Sequence, residues 1–237
     1  TAGSLLNANS DLLINILGRN VVLNAASGTI GATGGLHALN IGNSAGGGVT
    51  TNALGLVNLY GPSGYQLVIK SVVSAADVLV TAALDVTVDG TVSSAGHVEF
   101  DVAGLLSLTA NSRIDSTANA VDVNTSFGSL PANSRLSMAA GSRISGATGV
   151  TLVTSGAATL ATLLAANGNI AVTAGGAIAL LGNEQVAAAA VAARRNGASV
   201  TRAAGSQVAA LLDIAVVTTG DAAAAAPAST RGHVSVT

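Results

Sequence analysis

The chain has 237 residues and contains no cysteine and no tryptophan. Without cysteine it can form neither a disulfide framework nor a thiolate metal site. Aromatic residues make up 2% of the sequence, whereas the hydrophobic class as a whole makes up 49%. Compact globular domains use aromatic side chains as large core pieces. This composition therefore favours a narrow interior built from Val, Leu, Ile and Ala.

Charge is also scarce. Nine Lys and Arg against eleven Asp and Glu give a formal net charge of −2, and charged residues are 8% of the sequence. The chain therefore has no basic field to attract nucleic acid or an anionic membrane surface. High hydrophobicity with low net charge also argues against disorder. Ser, Thr, Asn and Gly must supply most of the solvent-facing surface.

Long apolar runs and a secretion leader are absent as well. Positions 145–183 carry no charge, but polar residues and glycine interrupt them, and no run of about 18 apolar residues occurs anywhere. We therefore expect no membrane insertion. The sequence starts at Thr1 with neither a basic segment nor an apolar leader. We expect a processed subunit or a segment of a longer polypeptide.

The most informative feature that is present is a degenerate repeat. Residues 106–114 read LSLTANSRI, and residues 136–144 read LSMAAGSRI. A weaker third copy, VTRAAGSQV, covers residues 200–208 and places Arg202 in the position of Met138. Repeats of this kind indicate that one supersecondary unit is stacked on copies of itself.

Alternation of apolar and polar residues with period two predicts many short strands. Each predicted strand is bounded by Gly, Asn, Ser or Asp, the residues that turn a chain. Typical hairpin dipeptides are sparse, and the repeat consists of two strand pieces separated by a small bend. The predicted strands cover residues 21–24, 54–60, 66–73, 78–81, 84–88, 97–102, 105–109, 150–153 and 169–173.

These features predict an all-β fold, a parallel β-helix, as one elongated domain over residues 1–237. In such a solenoid each coil pairs in parallel with the next at about 4.8 Å. Ser107, Arg113 and Asp115 are expected to face water. The predicted interior columns contain Leu106, Leu108, Ile114, Leu136, Met138 and Ile144.

Three segments depart from the strand pattern. Residues 183–195 are Ala-rich, open with Asn and an early Glu, and close with two Arg, which makes them a helix candidate. The alternative is another coil of small residues. Residues 61–64, Gly-Pro-Ser-Gly, predict a turn between the two tyrosines, and residues 221–229 predict a loop.

The alternating segments IAVTAGGAIAL at 170–180 and VVLNAASGTI at 21–30 resemble the coils of filamentous-haemagglutinin-type exoproteins and autotransporter passengers. The resemblance implies a right-handed parallel β-helix that is extracellular or exposed on a bacterial cell surface. It concerns architecture, and the Asn-Pro-Asn-type motifs of that family's secretion domain are absent from this sequence.

Acidic residues give one candidate site. Asp85, Asp101 and Asp122 each lie between an apolar residue and Val, and coils that stack in register would bring several acids onto one face. Stacked carboxylates need a cation or a raised pKa to coexist. Pectate-lyase-like β-helices place calcium-binding acids on such a face, so calcium is one candidate cation. The alternative is a solvated acidic stripe, because the spacings between the three are unequal.

Arginines and tyrosines give a second candidate. Arg113, Arg135 and Arg143 each follow a serine and precede an apolar residue, and guanidinium groups suit sulfated or carboxylated glycans. More often such arginines cover the coil surface and pair with acids along a strand. Tyr60 and Tyr65 could stack on a sugar ring or pack beside the turn between them.

Enzymatic and cofactor chemistry has little support in the sequence. His37, His97 and His233 lie far apart, and no nucleophile elbow, phosphate loop or dinucleotide fingerprint occurs. We expect no cofactor and no catalysis. The leading hypothesis is a secreted or surface-exposed structural or adhesive solenoid. It would associate end to end or adjoin further coils of the same exoprotein, and its other partners would be cell-surface glycans. The alternative is a carbohydrate-active β-helix, a polysaccharide lyase or hydrolase.

Overall fold

The computed structural model describes residues 3–8, 12–33, 37–126 and 134–181 with their side chains, and beyond them the backbone of eight more strands. In this part of the chain every regular element is a β-strand. The strands wind into a parallel β-solenoid of about seven turns. The predicted fold class is therefore confirmed.

The strands are short because Gly, Ser and Asn interrupt the alternation every few residues. In chain order they are β1 Ile16–Ala25, β2 Leu39–Ala53, β3 Val57–Gly61, β4 Leu67–Ser74, β5 Val78–Ala82, β6 Val86–Ser94, β7 Val98–Val102, β8 Leu105–Leu108, β9 Arg113–Ser116, β10 Ala120–Asn124, β11 Arg135–Met138, β12 Arg143–Gly146, β13 Gly149–Thr154, β14 Ala158–Leu160, β15 Thr162–Ala165, β16 Asn169–Ala174 and β17 Ile178–Leu180. Those described by backbone alone are β18 Gln185–Val186, β19 Ala190–Ala193, β20 Val200–Arg202, β21 Gln207–Ala210, β22 Ile214–Thr218, β23 Ala222–Ala223, β24 Ala228–Ser229 and β25 Val234–Val236.

Each coil contributes strands to two faces. Face A contains β3, β5, β7, β10, β13 and β16, followed by β19, β22 and β25. Face B contains one long bent strand from each of the first coils, namely β1, β2, β4 and β6, and two short strands from each later coil. Every pairing between these strands is parallel.

The repeats identified in the sequence lie on adjacent coils in register. Leu106 pairs with Leu136, and Ile114 pairs with Ile144. The preceding coil is shorter, since Val86 pairs with Leu106. The third copy keeps the same columns, because Leu180 pairs with Arg202 and Val186 with Val208. The repeat therefore marks the coil itself.

The interior is an aliphatic column. All six residues predicted for it are at most 2% exposed. Phe100 on face A is also fully buried and lies between Val80 and Val123 of the neighbouring coils. Because side chains alternate along each strand, the residues between the buried ones face outward, as predicted for Arg113.

The small polar residues in the middle of each repeat form a bend on face B. Asn111 and Gly141 occupy equivalent positions there, with φ of 64° and 78°, in the left-handed region that Gly and Asn tolerate best. The hydroxyl of Ser112 donates to the carbonyl oxygen of Thr109 at 2.8 Å. The hydroxyl of Ser142 donates to the carbonyl oxygen of Ala139 at 2.7 Å. Serine thus closes each bend internally.

A second set of serines forms hydrogen bonds between successive coils at the corner where face B leads to face A. Ser74, Ser94 and Ser116 are in register and buried. The hydroxyl of Ser74 donates to the carbonyl of Gly55 at 2.8 Å, and that of Ser116 to the carbonyl of Gly96 at 2.6 Å. Ser94 makes the equivalent bond to Ala76. We call these three residues the corner serines.

The helix candidate at 183–195 is wrong for the residues that the structure describes. The strands Gln185–Val186 and Ala190–Ala193 fall in this range, and they pair with β15 and β16. Alanine has a high helix propensity, but a further coil satisfies the open backbone edge of the coil before it. Tertiary pairing therefore outweighs local propensity. The alternative of another coil is correct.

The other two segments that depart from the strand pattern are residues 221–229 and the turn at residues 61–64. In the predicted loop at 221–229, Ala222–Ala223 and Ala228–Ser229 pair with the coil before them, so the loop prediction is wrong there. The predicted turn between the tyrosines is present, since the Tyr65 amide donates to the Pro62 carbonyl at 3.4 Å. His233 and Asp11 lie outside the described residues.

The interior columns predict where substitutions destabilise the fold. Ile144→Ala should lower the free energy of unfolding by about 2–5 kcal/mol, because it removes buried methyl groups and leaves a cavity. Ser145→Ala on the outward face is the matched control and should change it by no more than about 0.5 kcal/mol. Urea unfolding followed by circular dichroism measures both. Equal effects at the two positions would contradict this face assignment.

Candidate functional site

Two of the three predicted acids lie together on the outer surface of face A. Asp122 on β10 pairs in register with Glu99 on β7, and Asp101 on β7 pairs with Asn124 on β10. These residues alternate with buried valines and Phe100, so their side chains share the solvent side of the sheet. We call Glu99, Asp101 and Asp122 the acidic set.

Two members of the acidic set, Glu99 and Asp101, have a raised pKa. Partial burial raises the pKa of Glu99 above its ordinary value, and the nearby carboxylate of Asp101 raises it further. Partial burial also raises the pKa of Asp101, although a hydrogen bond from Asn124 opposes this shift. The carboxylate of Asp122 has a cationic neighbour when His97 is protonated, since its Oδ2 lies 3.4 Å from the His97 Nε2.

The neighbouring strands supply no further charge to this surface. On β5 the residues in register with Glu99 and Asp101 are Leu79 and Thr81. On β13 the residue in register with Asp122 is Thr151. His97 is therefore the one titratable base beside the acidic set among the described residues.

Asp85 does not join the other two acids. It precedes β6 on face B, and its Oδ1 accepts the backbone N–H of Leu105 in the next coil at 2.8 Å. Asp77 does the same for His97 at 2.7 Å. A Cβ added at Gly104 would lie 2.2 Å from the Asp85 Oδ1, so glycine leaves room for this contact. Asp85 thus links coils.

The described residues contain no group of three or more histidine or acidic side chains placed to hold a metal ion. Within the acidic set, Glu99 and Asp122 form one register pair, and Asp101 lies two residues further along β7. The three carboxylates therefore lie side by side on the solvent side of the sheet.

The arginine candidates lie at two positions on face B. Arg113 and Arg143 are register partners on adjacent coils, whereas Arg135 begins β11 and pairs with Leu105. Arg143 is already engaged, since its Nη2 donates to both carboxylate oxygens of Asp115 at 2.8 and 2.9 Å. Arg113 and Arg135 are exposed and make no ion pair within the described ranges.

The tyrosine candidates lie on either side of the turn at residues 61–64. Tyr60 is half-buried on the outer surface of face A, in register with Asn40 and Thr81. Tyr65 follows the turn and lies over Gly42, where an added Cβ would be 3.1 Å from two of its ring carbons. The β2 residues beside the two rings, Asn40 and Gly42, are two positions apart.

The contacts that join Lys70, Asp89 and Thr109 were not identified from the sequence. Lys70 pairs with Asp89, whose Oδ1 also accepts a hydrogen bond from the Thr109 hydroxyl at 2.7 Å. The hydrogen bond from Lys70 and then that from Thr109 lower the pKa of Asp89. The three residues are 19 and 20 positions apart, so the coil length was the signal that could have identified them.

Comparisons with known proteins find no matching family model, no matching curated protein and no matching solved structure. Within the described ranges, no helix has the length and apolar character needed to cross a membrane. The architecture and the geometry of these surfaces are therefore the observations on which a function must be argued.

The pKa of Glu99 is raised and that of Asp89 is lowered. The two groups should therefore change the stability of the fold in opposite directions as the pH changes. Glu99 has a raised pKa in the fold, so the native state binds its proton more tightly than the unfolded chain does. Its stabilising contribution is present below the unfolded pKa of about 4.3 and is lost as the pH rises through the folded pKa. Glu99→Gln should therefore raise the melting temperature at pH 7 relative to the wild type, with little difference at pH 4.

Asp89→Asn is the matched control, because the pKa of Asp89 is lowered. Its contribution is present above the unfolded pKa of about 3.9 and is lost as the pH falls through the folded pKa. This variant should melt at a lower temperature than the wild type at pH 7. Thermal unfolding at several pH values measures both variants, and effects of the same sign would contradict the assigned environments.

Proposed function

We propose that the protein is a structural or adhesive solenoid, secreted or exposed on a bacterial cell surface, that acts as a stalk or filament. The observation that carries this proposal is the parallel ladder, which continues from β1 to β17 and on to β25, with register shifts within the long strands β1, β2, β4 and β6. The function is mechanical, since the coils transmit force along a ladder of hydrogen bonds.

The packing supports this mechanical role. The inner coils are hydrogen-bonded to the coils on both sides. Within the ranges described with side chains, they enclose a continuous core that is aliphatic apart from Phe100 and Met138. The corner serines add side-chain bonds between coils where the backbone turns. A chain held in this way exposes few loops to proteases. It suits an extracellular environment, where the absence of cysteine also leaves nothing to be oxidised to disulfides.

End-to-end association would extend such a rod. Among the described strands β1 pairs with β2 alone, and β25 with β22 alone. Strand edges of this kind recruit other strands, and a head-to-tail contact between them is heterologous and need not close. The partner of each end is a second copy or an adjoining coil of the same exoprotein. The side chains of Leu17 and Val22, both on β1, are exposed.

Contact with cell-surface glycans is the narrower part of the proposal. It rests on Arg113 and Arg135, whose exposed guanidinium groups have the planar donor geometry that suits carboxylate and sulfate groups. Arg143 contributes less, since Asp115 already occupies its donors.

Electron microscopy and light scattering of the purified chain test the association. We expect rods that lengthen into filaments as the concentration rises. The double variant Val22→Lys, Asn24→Lys should stop the lengthening, because lysine on an edge strand opposes strand addition. Thr91→Lys, which is exposed in the middle of face B, is the control and should leave it unchanged.

Two results would contradict the proposed function. One is a monomer at every concentration for the wild-type chain. The other is turnover on an acidic polysaccharide such as polygalacturonate, with or without calcium, that is abolished by Asp101→Asn or Asp122→Asn. The second result would favour the carbohydrate-active alternative, in which the acidic set takes part in catalysis.

A further inference from the structure

The charged residues of the solenoid are segregated between its two faces. On the face A strands described with side chains, the charged residues are the three carboxylates of the acidic set. The Lys and Arg residues described with side chains all lie on strands of face B instead. They are Arg19, Lys70, Arg113, Arg135 and Arg143.

Ion pairs within face B leave positive charge in excess there. The acids on face B strands, within the ranges described with side chains, are Asp89 and Asp115. Asp89 pairs with Lys70, and Asp115 pairs with Arg143. Arg113 is exposed and has no acid of its own in these ranges. The two faces therefore carry opposite uncompensated charges.

The opposite charges have the same spacing along the solenoid axis. Glu99 and Asp122 are register partners on β7 and β10, and Arg113 and Arg143 are register partners on β9 and β12. Both pairs lie on the same two coils, because β7 to β9 form one coil and β10 to β12 form the next. The members of each pair are therefore one coil apart, about 4.8 Å. We call Arg113 and Arg143 the arginine pair.

Uncharged residues flank both pairs on the neighbouring coils. Leu79 and Thr151 continue the column of Glu99 and Asp122. Thr91 and Thr162 continue the column of the arginine pair. No like charge therefore adjoins either pair in its own column on these coils.

The arginine pair keeps donors for further carboxylates. The bonds from Arg143 to Asp115 come from its Nε and Nη2. A guanidinium group has five N–H donors in a planar fork, so those on Nη1 of Arg143 are left for a second carboxylate. Arg113 has all of its donors to offer.

We propose that the acidic set of one copy of this chain docks on the arginine pair of a second copy that lies beside it. Glu99 and Asp122 then each face an arginine, whichever way the second copy points, because both pairs span one coil. Each copy carries one surface of each kind, so the contact is heterologous and need not close. It joins rods laterally into sheets or bundles, beyond the end-to-end association proposed above.

Charge reversal on one side at a time tests this contact. At low salt and without added glycan, electron microscopy of the wild-type chain should show rods associated side by side. Asp122→Lys and Arg113→Glu should each give rods of single width, because like charges then meet. Both side chains are largely exposed, so folding is retained, and circular dichroism checks it. Arg135→Glu, the same reversal on β11 outside the arginine pair, is the matched control and should leave the bundles unchanged.

Mixing the two variants tests which surfaces meet. An equimolar mixture of Asp122→Lys and Arg113→Glu chains should associate side by side again, because the intact acidic set of one meets the intact arginine pair of the other. Light scattering should show the corresponding rise in mass. The association should disappear at about 1 M salt, where the Debye length is about 3 Å instead of about 10 Å at 0.1 M.

Particle width and particle length separate this contact from end-to-end association. Rods of single length and multiple width support lateral docking even where no filament forms. Wild-type rods of single width at every concentration would overturn the inference. So would bundles that survive Asp122→Lys, which would give the arginine pair a partner other than the acidic set. A mixture of the two variants that stays at single width would overturn it as well.

Discussion

The structure depends on one constraint, the in-register parallel pairing of each coil with the next. A shift of a single residue would turn every buried side chain of a strand outward, so register is held where a column keeps its apolar character from coil to coil. The column through Ile114 and Ile144 shows this, since it continues through Leu163 and Val186 to Val208. Coil length can vary, because insertions between strands do not change the register within them.

The corners and the surface follow from the same constraint. Where strands end, the backbone groups of one coil still lie opposite those of the next, and small hydroxyl side chains can bond across the gap. Ser74 and Ser116 do so on one corner, and Thr154 bonds to the Ser134 carbonyl on the other, at 3.1 Å. Outward residues stack as well, which brings Glu99 next to Asp122 and Arg113 next to Arg143.

Much of this could be predicted from the sequence. The repeat at 106–114 and 136–144 identified the fold, the adjacent coils and the six buried residues, because period-two alternation and a preserved spacing depend only on the pleat of a strand. The helix prediction at 183–195 was wrong because propensity is local, whereas the pairing of Ala190–Ala193 with β16 is not.

The candidate sites were less predictable, since coil lengths differ. Spacings of 16 and 21 between acids could not show that Asp101 and Asp122 share a face while Asp85 bonds to the backbone of Leu105. In the same way, the Ser-Arg pattern marked three arginines but not which one is held by Asp115. Such contacts follow from register, which a single sequence fixes only where the repeat is strong.

Register is therefore the property to measure. Ser107 and Ser137 are outward-facing register partners on adjacent coils, and Thr159 continues the same row one coil further on. In this cysteine-free chain, Ser107→Cys with Ser137→Cys should form an intramolecular disulfide, because their separation of about 4.8 Å falls in the range that a disulfide spans. Ser107→Cys with Thr159→Cys should not, at about twice that distance. Cross-linking of the second pair but not the first would contradict the in-register solenoid.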